Sequence, residues 1–357
     1  MANPLRLGIV LTGGGARAAY HVGVVRALTK FPVEVTAISA VGSGALNGAI
    51  LAGSAVMSEA VDRMAMLWAQ TVLSPQSALR LGPIPVLRLG VYLTLLYSGG
   101  VNSRIAENLK SMTAGLTINA RRRSPGQKRG DEFFDVVSML IDSLNVSTNL
   151  ELEGFIAGEL RTVLERPVRP FFVSVYETEE GFLESLKLGL QGVGLIEADP
   201  VYYEVSSPTL TAADRIRYVL ASATLPFLCE SKWIGGHQYI DGSFGGMKRS
   251  PGAVPLRPLQ HGLPLDAIFV VHTEHGVSWD ATDFPELPIL ELRPSIGEGD
   301  EVGYFWADAG SLRRWMAAGE RDATRTLLGL FEQLSGWCEA QHVRDQLRLA
   351  AEWLDNP

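Results

Sequence analysis

The first sixty residues contain the same pattern twice, a short apolar segment followed by a glycine-rich turn and a helix-forming segment. Residues 7–11 and 33–39 are the apolar segments, and both have the length and β-branched content of a strand. The turns lie at residues 12–15 and 40–44. Strands that alternate with helices are typical of a mainly parallel sheet with right-handed crossovers. The pattern therefore predicts an α/β fold.

Length and composition indicate that the chain is folded and how many domains to expect. The 357 residues are 46% hydrophobic and 20% charged, which is too apolar and too weakly charged for a disordered chain. Because single cores rarely grow beyond about 250–300 residues, we expect either one large domain with appended helices or two domains. We place the main domain at residues 1–290 and a helical region at residues 291–357. The C-terminal helices are expected either to pack on the domain or to join copies of the chain as a homo-oligomer.

Charge is distributed unevenly along the chain. A net charge of −8 argues against a protein that binds nucleic acid through its overall charge. The basic loop, residues 121–129, reverses that sign locally and is either a solvated surface loop or a contact for anionic lipid headgroups. It lies within residues 70–135, which we expect to form a cap or insertion, packed on the core or facing a membrane with its leucine-rich stretch 79–97. Its candidate lipid contacts are Arg121, Arg122, Arg123, Lys128 and Arg129.

Neither a targeting signal nor a metal site is visible in the sequence. The N-terminal residues lack the basic start and long apolar stretch of a secretory signal, which predicts a cytoplasmic protein, at most peripheral at a membrane. Cys229 and Cys338 are far apart, with no Cys/His ligand spacing around either. We therefore expect neither a disulfide framework nor a bound metal.

The first turn places Gly13, Gly14 and Gly15 between a strand and a helix. Backbone N–H groups at such a turn have no partner within the helix and can bind a phosphate or an oxyanion. The letters also satisfy the dinucleotide pattern Gly-x-Gly-x-x-Ala, whose acidic partner would be Glu34. Glu34 falls at the start of the second strand, whereas a ribose-binding carboxylate belongs near a strand's carboxyl end. A nucleotide site is therefore disfavoured.

Two further segments have both a structural and a catalytic interpretation. Ser43 is the only hydroxyl residue within 40–44, so it is either the nucleophile of a strained strand-to-helix elbow or an ordinary helix cap. Asp241-Gly242 lies between apolar residues and is by itself first a hairpin-turn signal. Neither segment decides between its two interpretations alone.

The order of these motifs resembles the patatin-like phospholipases. The resemblance rests on Gly13 to Arg17, on Gly44-Ala45-Leu46-Asn47, on residues 221–226 (Ala-Ser-Ala-Thr-Leu-Pro), and on Asp241-Gly242. It implies a three-layer α/β sandwich with a C-terminal helical extension and a serine–aspartate dyad that hydrolyses phospholipid or other acyl-ester lipids without a cofactor. It also implies that Asp241 is the base and that Gly13, Gly14 and Gly15, with Arg17 nearby, form the oxyanion hole.

One departure from the family pattern concerns the nucleophile itself. The family turn is Gly-x-Ser-x-Gly, and alignment on residues 44–47 places Gly42 in the nucleophile position. Losing the nucleophile of such a hydrolase lowers turnover by on the order of 10⁶. Three alternatives remain at this stage: Ser43 acts through an adjusted elbow, the protein is an inactive lipid-binding or scaffolding relative, or position 42 carries a Ser→Gly change.

Overall fold

A computed structural model of the protein describes most of the residues before and after a long central segment. The basic loop and the stretch 79–97 lie outside the described residues, as does nearly all of the cap or insertion expected over 70–135. The described residues are 4–73, 150–178, 199–223, 231–244, 252–274, 279, 284–285, 288–295 and 307–355.

One sheet organises the described strands. They are β1 (Leu5–Leu11), β2 (Val33–Ala40), β3 (Phe171–Thr178), β4 (Val201–Glu204), β5 (Lys232–Ile234), β6 (His237–Asp241), β7 (Ala267–Val271) and β8 (Ile289–Leu292). The order across the sheet is β5-β6-β3-β2-β1-β7-β8, and β4 pairs with β3. The five strands from β3 to β8 in that order are parallel, while β4, β5 and β6 add antiparallel pairings at one side.

The described helices are α1 (Ala19–Leu28), α2 (Ser43–Gly53), α3 (Met57–Leu73), α4 (Leu150–Leu164), α5 (Ala212–Ser222) and α6 (Ala309–Asp355). A short 3₁₀ turn, Gly15–Ala18, precedes α1. The predicted α/β class, the mostly parallel sheet and the C-terminal helix are confirmed. Among the described helices, none is both long enough and apolar enough to cross a bilayer.

Side chains alternate between the two faces of the sheet, as the pleat of a strand requires. Leu7, Ile9 and Leu11 of β1 are fully buried in the larger apolar cluster, to which the helices contribute. Val10 points to the opposite face and joins a smaller cluster with residues of the segment 252–265. Burial on both faces explains why β1 appears in the sequence as a continuous apolar run.

The long helix α6 packs directly on α1. Gly319 leaves no room for a Cβ atom beside the carbonyl of Tyr20, and Gly23 leaves none beside the carbonyl of Met316. Tyr20 also donates a hydrogen bond to the buried carboxylate of Asp322, at 3.1 Å. The two helices are therefore in close backbone contact. The division at residue 290 remains a prediction.

The hairpin of this region is not at Asp241-Gly242. β5 and β6 form an antiparallel pair in which Ile234 lies opposite His237, so the connecting turn is Gly235-Gly236. Asp241 instead ends β6 and is followed by a 3₁₀ turn, Gly242–Phe244. The hairpin interpretation of Asp241-Gly242 is therefore wrong.

Candidate active site

The glycine loop, residues 12–15, follows the carboxyl end of β1. Gly14 has φ 148° and ψ 19°, a conformation that favours glycine. A Cβ atom on Gly14 would overlap the hydroxyl of Thr273, which donates a hydrogen bond to the Gly13 carbonyl. The loop is therefore fixed against the segment that follows β7.

The elbow, residues 40–44, follows the carboxyl end of the neighbouring strand β2. Gly42 has φ 61° and ψ −140°, a backbone conformation that L-residues with a side chain rarely adopt. Helix α2 begins at the next residue, Ser43, so Gly42 is the apex of the turn. A strained strand-to-helix apex is the arrangement that lifts a nucleophile above the sheet in α/β hydrolases.

Asp241 lies at the same height of the sheet as this apex. It ends β6 opposite Val175 of β3, and β3 extends beyond the end of β2. The side chain is 4% exposed, and its Oδ1 accepts a hydrogen bond of 2.9 Å from the backbone N–H of Ser243. Burial raises the pKa of Asp241 to about 7, although the hydrogen bond from Ser243 acts in the opposite direction. Such a carboxyl group can take up and release a proton near neutral pH.

The loop, the elbow and the aspartate meet at position 42. A Cβ atom on Gly42 would lie 3.2 Å from Asp241 Oδ2 and 2.9 Å from the Cα atom of Gly13. A side chain at this position would therefore extend between the carboxylate and the glycine loop. That is where a nucleophile needs to be, within reach of both a base and oxyanion donors.

Ser43 occupies a different environment from Gly42. It is the first residue of α2, and its Oγ is buried without a hydrogen-bond partner in the part of the chain that the structure describes. Its hydroxyl therefore makes no hydrogen bond to Asp241 in this conformation. Its assignment as the nucleophile remains a prediction.

Ser222 supports the elbow, a role that no local sequence pattern indicates. Its Oγ accepts a hydrogen bond of 3.2 Å from the N–H of Gly42 and donates one of 2.8 Å to the carbonyl of Ser174. The hydroxyl thus ties the strained apex to β3, the strand that pairs with β6. The serine belongs to the motif at residues 221–226.

Asn47 holds the elbow helix against its neighbours. Its amide nitrogen donates to the carbonyl of Ala18 at 2.8 Å and lies 3.2 Å from Nδ1 of His21, while Trp68 donates to its carbonyl oxygen at 2.9 Å. Burial lowers the pKa of His21 to about 3, so this histidine is neutral near pH 7. Both side chains therefore serve a structural role beside the elbow.

Arg17 and Glu34 contact residues at opposite ends of the strands. The guanidinium of Arg17 lies 3.5 Å from the carboxylate of Glu274, beyond the end of β7. Glu34 is paired with Arg6 at the amino ends of β2 and β1, at the opposite end of the strands from the glycine loop. This placement argues against the nucleotide alternative, which required Glu34 near that loop.

Within the described residues, no group of three or more His, Cys, Asp or Glu side chains is arranged to hold a metal ion. The candidate lipid contacts of the basic loop lie outside those residues, as do Thr224, Leu225 and Pro226 of the 221–226 motif. The geometry therefore brings together Gly13, Gly42 and Asp241, with Gly14 in the same loop as Gly13.

A comparison with solved structures finds matches at low sequence identity and low TM-score. VipD from Legionella pneumophila is 14% identical with a TM-score of 0.38, and the match covers 91% of this chain and 67% of that one. The type III effector ExoU is 14% identical with a TM-score of 0.36, and the match covers 92% and 53%. Human GIVD cytosolic phospholipase A2 is 15% identical with a TM-score of 0.34, and the match covers 93% and 59%.

A comparison with curated proteins finds no match to the chain. A comparison with protein families matches residues 9–248 to the family described as Patatin-like phospholipase. The matched range is more than half of the chain and contains the glycine loop, the elbow and Asp241. The chain belongs to the patatin-like phospholipase family.

Proposed function

We propose that this site binds the acyl-ester group of a lipid and is built for its hydrolysis, with position 42 as the nucleophile position. One observation carries the proposal: a side chain on residue 42 would point to Asp241 Oδ2, with its Cβ atom 3.2 Å away. We infer that the chain binds acyl lipids at this site. Because glycine at position 42 supplies no hydroxyl, we expect the chain to hydrolyse them slowly. The loss expected from a missing nucleophile is on the order of 10⁶ in turnover.

The reaction that the site would support with serine at position 42 has two steps. The hydroxyl oxygen forms a bond to the ester carbonyl carbon while Asp241 takes the hydroxyl proton, and amides of the glycine loop stabilise the oxyanion. The tetrahedral intermediate then expels the alcohol, which receives the proton from Asp241. In the second step water, deprotonated by Asp241, attacks the acyl-enzyme and releases the fatty acid and the serine hydroxyl.

The pH dependence of that reaction follows from the environment of Asp241. The base must be ionised to accept a proton, and burial raises its pKa to about 7. We therefore expect kcat/KM of an active variant to rise as the pH increases through about 7. A profile already flat above pH 5 would remove Asp241 from the role of base.

Ser43 is the second candidate nucleophile, and one observation favours it. Its buried Oγ has no hydrogen-bond partner among the described residues, so no other described group holds the hydroxyl in place. To act, it would have to move from the first turn of α2 toward Asp241. Such a movement would change the elbow that the N–H of Gly42 anchors to Ser222.

A fluorophosphonate probe separates these two assignments, because it labels an activated serine covalently. We expect no labelling of the natural chain and labelling at residue 42 in Gly42→Ser, as read by peptide mapping. Gly42→Ala is the matched control, since it carries the same backbone strain without a hydroxyl. Labelling of the natural chain at Ser43, abolished by Ser43→Ala, would instead establish Ser43 as the nucleophile.

Membrane contact through the basic loop is a separate proposal, supported by the sequence alone. Five positive charges within residues 121–129 should attract anionic phospholipids. We expect salt-sensitive binding to anionic vesicles that weakens when Arg121, Arg122 and Arg123 are neutralised together. Equal vesicle binding by that variant would refute the contact.

Self-association through the C-terminal helices likewise remains a proposal, to be tested by sedimentation equilibrium.

A further inference from the structure

The segment that follows β7 fixes the glycine loop from outside the region matched to the family. Thr273 lies beyond residue 248, where that match ends. Its hydroxyl donates a hydrogen bond to the Gly13 carbonyl, and its own backbone N–H donates one of 3.3 Å to the hydroxyl of Thr12. Thr12 is held in turn by a bond of 3.2 Å from its N–H to the carbonyl of Val271. Thr12 and Gly13, two successive residues of the loop, are thus hydrogen-bonded to the end of β7 and the segment that follows it.

The bond to the Gly13 carbonyl has a consequence for the next amide. The described chain contains no cis peptide bond, and in a trans peptide the C=O and the following N–H point in opposite directions. A Gly13 carbonyl held toward Thr273 therefore directs the Gly14 N–H away from β7. The strand order places β2 on the other side of β1 from β7, and the elbow follows β2. The Gly14 N–H is thereby directed toward the side on which Gly42 lies.

The packing around Gly14 permits little alternative. At φ 148° its backbone is in a region that favours glycine, and a Cβ atom there would overlap the Thr273 hydroxyl. Thr273 is itself only 4% exposed. A further contact lies just after the loop, because Arg17, two residues beyond it, pairs with Glu274, the residue after Thr273. Consecutive residues after β7 thus contact the loop and the 3₁₀ turn that follows it.

We propose that Thr273 is a positioning residue for the oxyanion hole, holding the Gly13–Gly14 peptide so that the Gly14 N–H faces the ester carbonyl. The inference rests on the proposed function for its catalytic meaning, while the peptide orientation can be measured without it. Thr273 would not touch the substrate. Its effect would appear when negative charge develops on the carbonyl oxygen, and therefore in kcat rather than in KM.

The test compares Thr273→Val, which removes the hydroxyl at similar volume, with Thr273→Ser, which keeps it. Both are made in the 357-residue chain and in its Gly42→Ser variant. In Gly42→Ser we expect Thr273→Val to lower kcat by about 10²–10³, as for the loss of one oxyanion donor, with little change in KM. Thr273→Ser should retain kcat within about threefold. An unchanged kcat in a folded Thr273→Val protein would overturn the proposal.

Crystal structures of the Thr273 variants of the natural chain provide a measurement that does not depend on activity. We expect the Gly13–Gly14 peptide to rotate in Thr273→Val and to keep its orientation in Thr273→Ser. An unrotated peptide in the valine variant would refute the positioning role, whether or not Gly42→Ser is active. If the peptide rotates but Gly42→Ser shows no hydrolysis, the positioning role stands and the proposed function fails.

Discussion

Oδ2 of Asp241 lies 3.2 Å from the point at which residue 42 would carry its Cβ atom, although the two residues come from distant parts of the chain. The carboxylate is thus within reach of a side chain at position 42, as the proposed pairing of a base with a nucleophile requires. What is missing between them is a hydroxyl group. Because the carboxyl group of Asp241 is buried, it also affects the free energy of unfolding.

Replacing Asp241 by asparagine should stabilise the protein at neutral pH. The folded-state pKa of Asp241 is about 7, above its ordinary value, so the folded protein binds this proton more tightly than the unfolded chain does. The contribution of Asp241 to the free energy of unfolding therefore falls as the pH rises from about 4 to about 7. We expect Asp241→Asn to exceed the natural chain in free energy of unfolding at pH 8 by up to roughly 4 kcal/mol, with the difference vanishing near pH 4. Urea denaturation at several pH values measures it.

Asp266→Asn is the matched control, with the opposite sign. Its surface carboxylate pairs with Arg6 at 2.7 Å, and the hydrogen bonds from Arg6 lower the pKa of Asp266. The ion pair therefore contributes to the free energy of unfolding at neutral pH, and this contribution is lost as the pH falls through the lowered pKa of Asp266. Asp266→Asn should therefore be less stable than the natural chain at pH 8. A pH-independent effect of Asp241→Asn would contradict the raised pKa of the buried carboxyl.

A side chain at position 42 should destabilise the fold. Gly42 has φ 61°, and a Cβ atom would lie 2.9 Å from the Gly13 Cα, closer than an ordinary contact. Gly262 is the control, since it has φ 76° but no atom within 4 Å of an added Cβ. We expect Gly262→Ala to lower the free energy of unfolding by about 1–2 kcal/mol and Gly42→Ala to lower it by more. Equal losses would show that the glycine loop moves aside without cost.

The sequence predicted those parts of the fold and site that depend on local pattern. The strands before both turns, the glycine loop and the elbow follow from apolar runs and glycines within a few residues of one another. The family resemblance predicted that Asp241 belongs to the site. The distance of Asp241 from position 42, however, depends on how β6 pairs with β3. Thr273 carries no local signal, because only the pairing of β7 with β1 brings it to the loop.

The contact between α6 and α1 should be sensitive to a single methyl group. Gly319 meets the carbonyl of Tyr20, whereas Gly329 in the same helix has no atom within 4 Å of an added Cβ. We expect Gly329→Ala to raise the melting temperature, because alanine is favoured over glycine in helices by about 1 kcal/mol. Gly319→Ala should lower it, since overpacking costs about 1–3 kcal/mol. Similar stabilisation by both substitutions would exclude the close packing of α6 on α1.

The initial rate of nitrophenyl ester hydrolysis by Gly42→Ser, compared with Gly42→Ala, tests the central claim most directly. Both variants carry the strain of a side chain at φ 61°, and only the serine places a hydroxyl beside Asp241. We expect the serine variant to be faster than both Gly42→Ala and the natural chain by at least about 100-fold, part of the roughly 10⁶ that a complete nucleophile supplies. Equal rates for a folded Gly42→Ser and Gly42→Ala would contradict the assignment of position 42 as the nucleophile position.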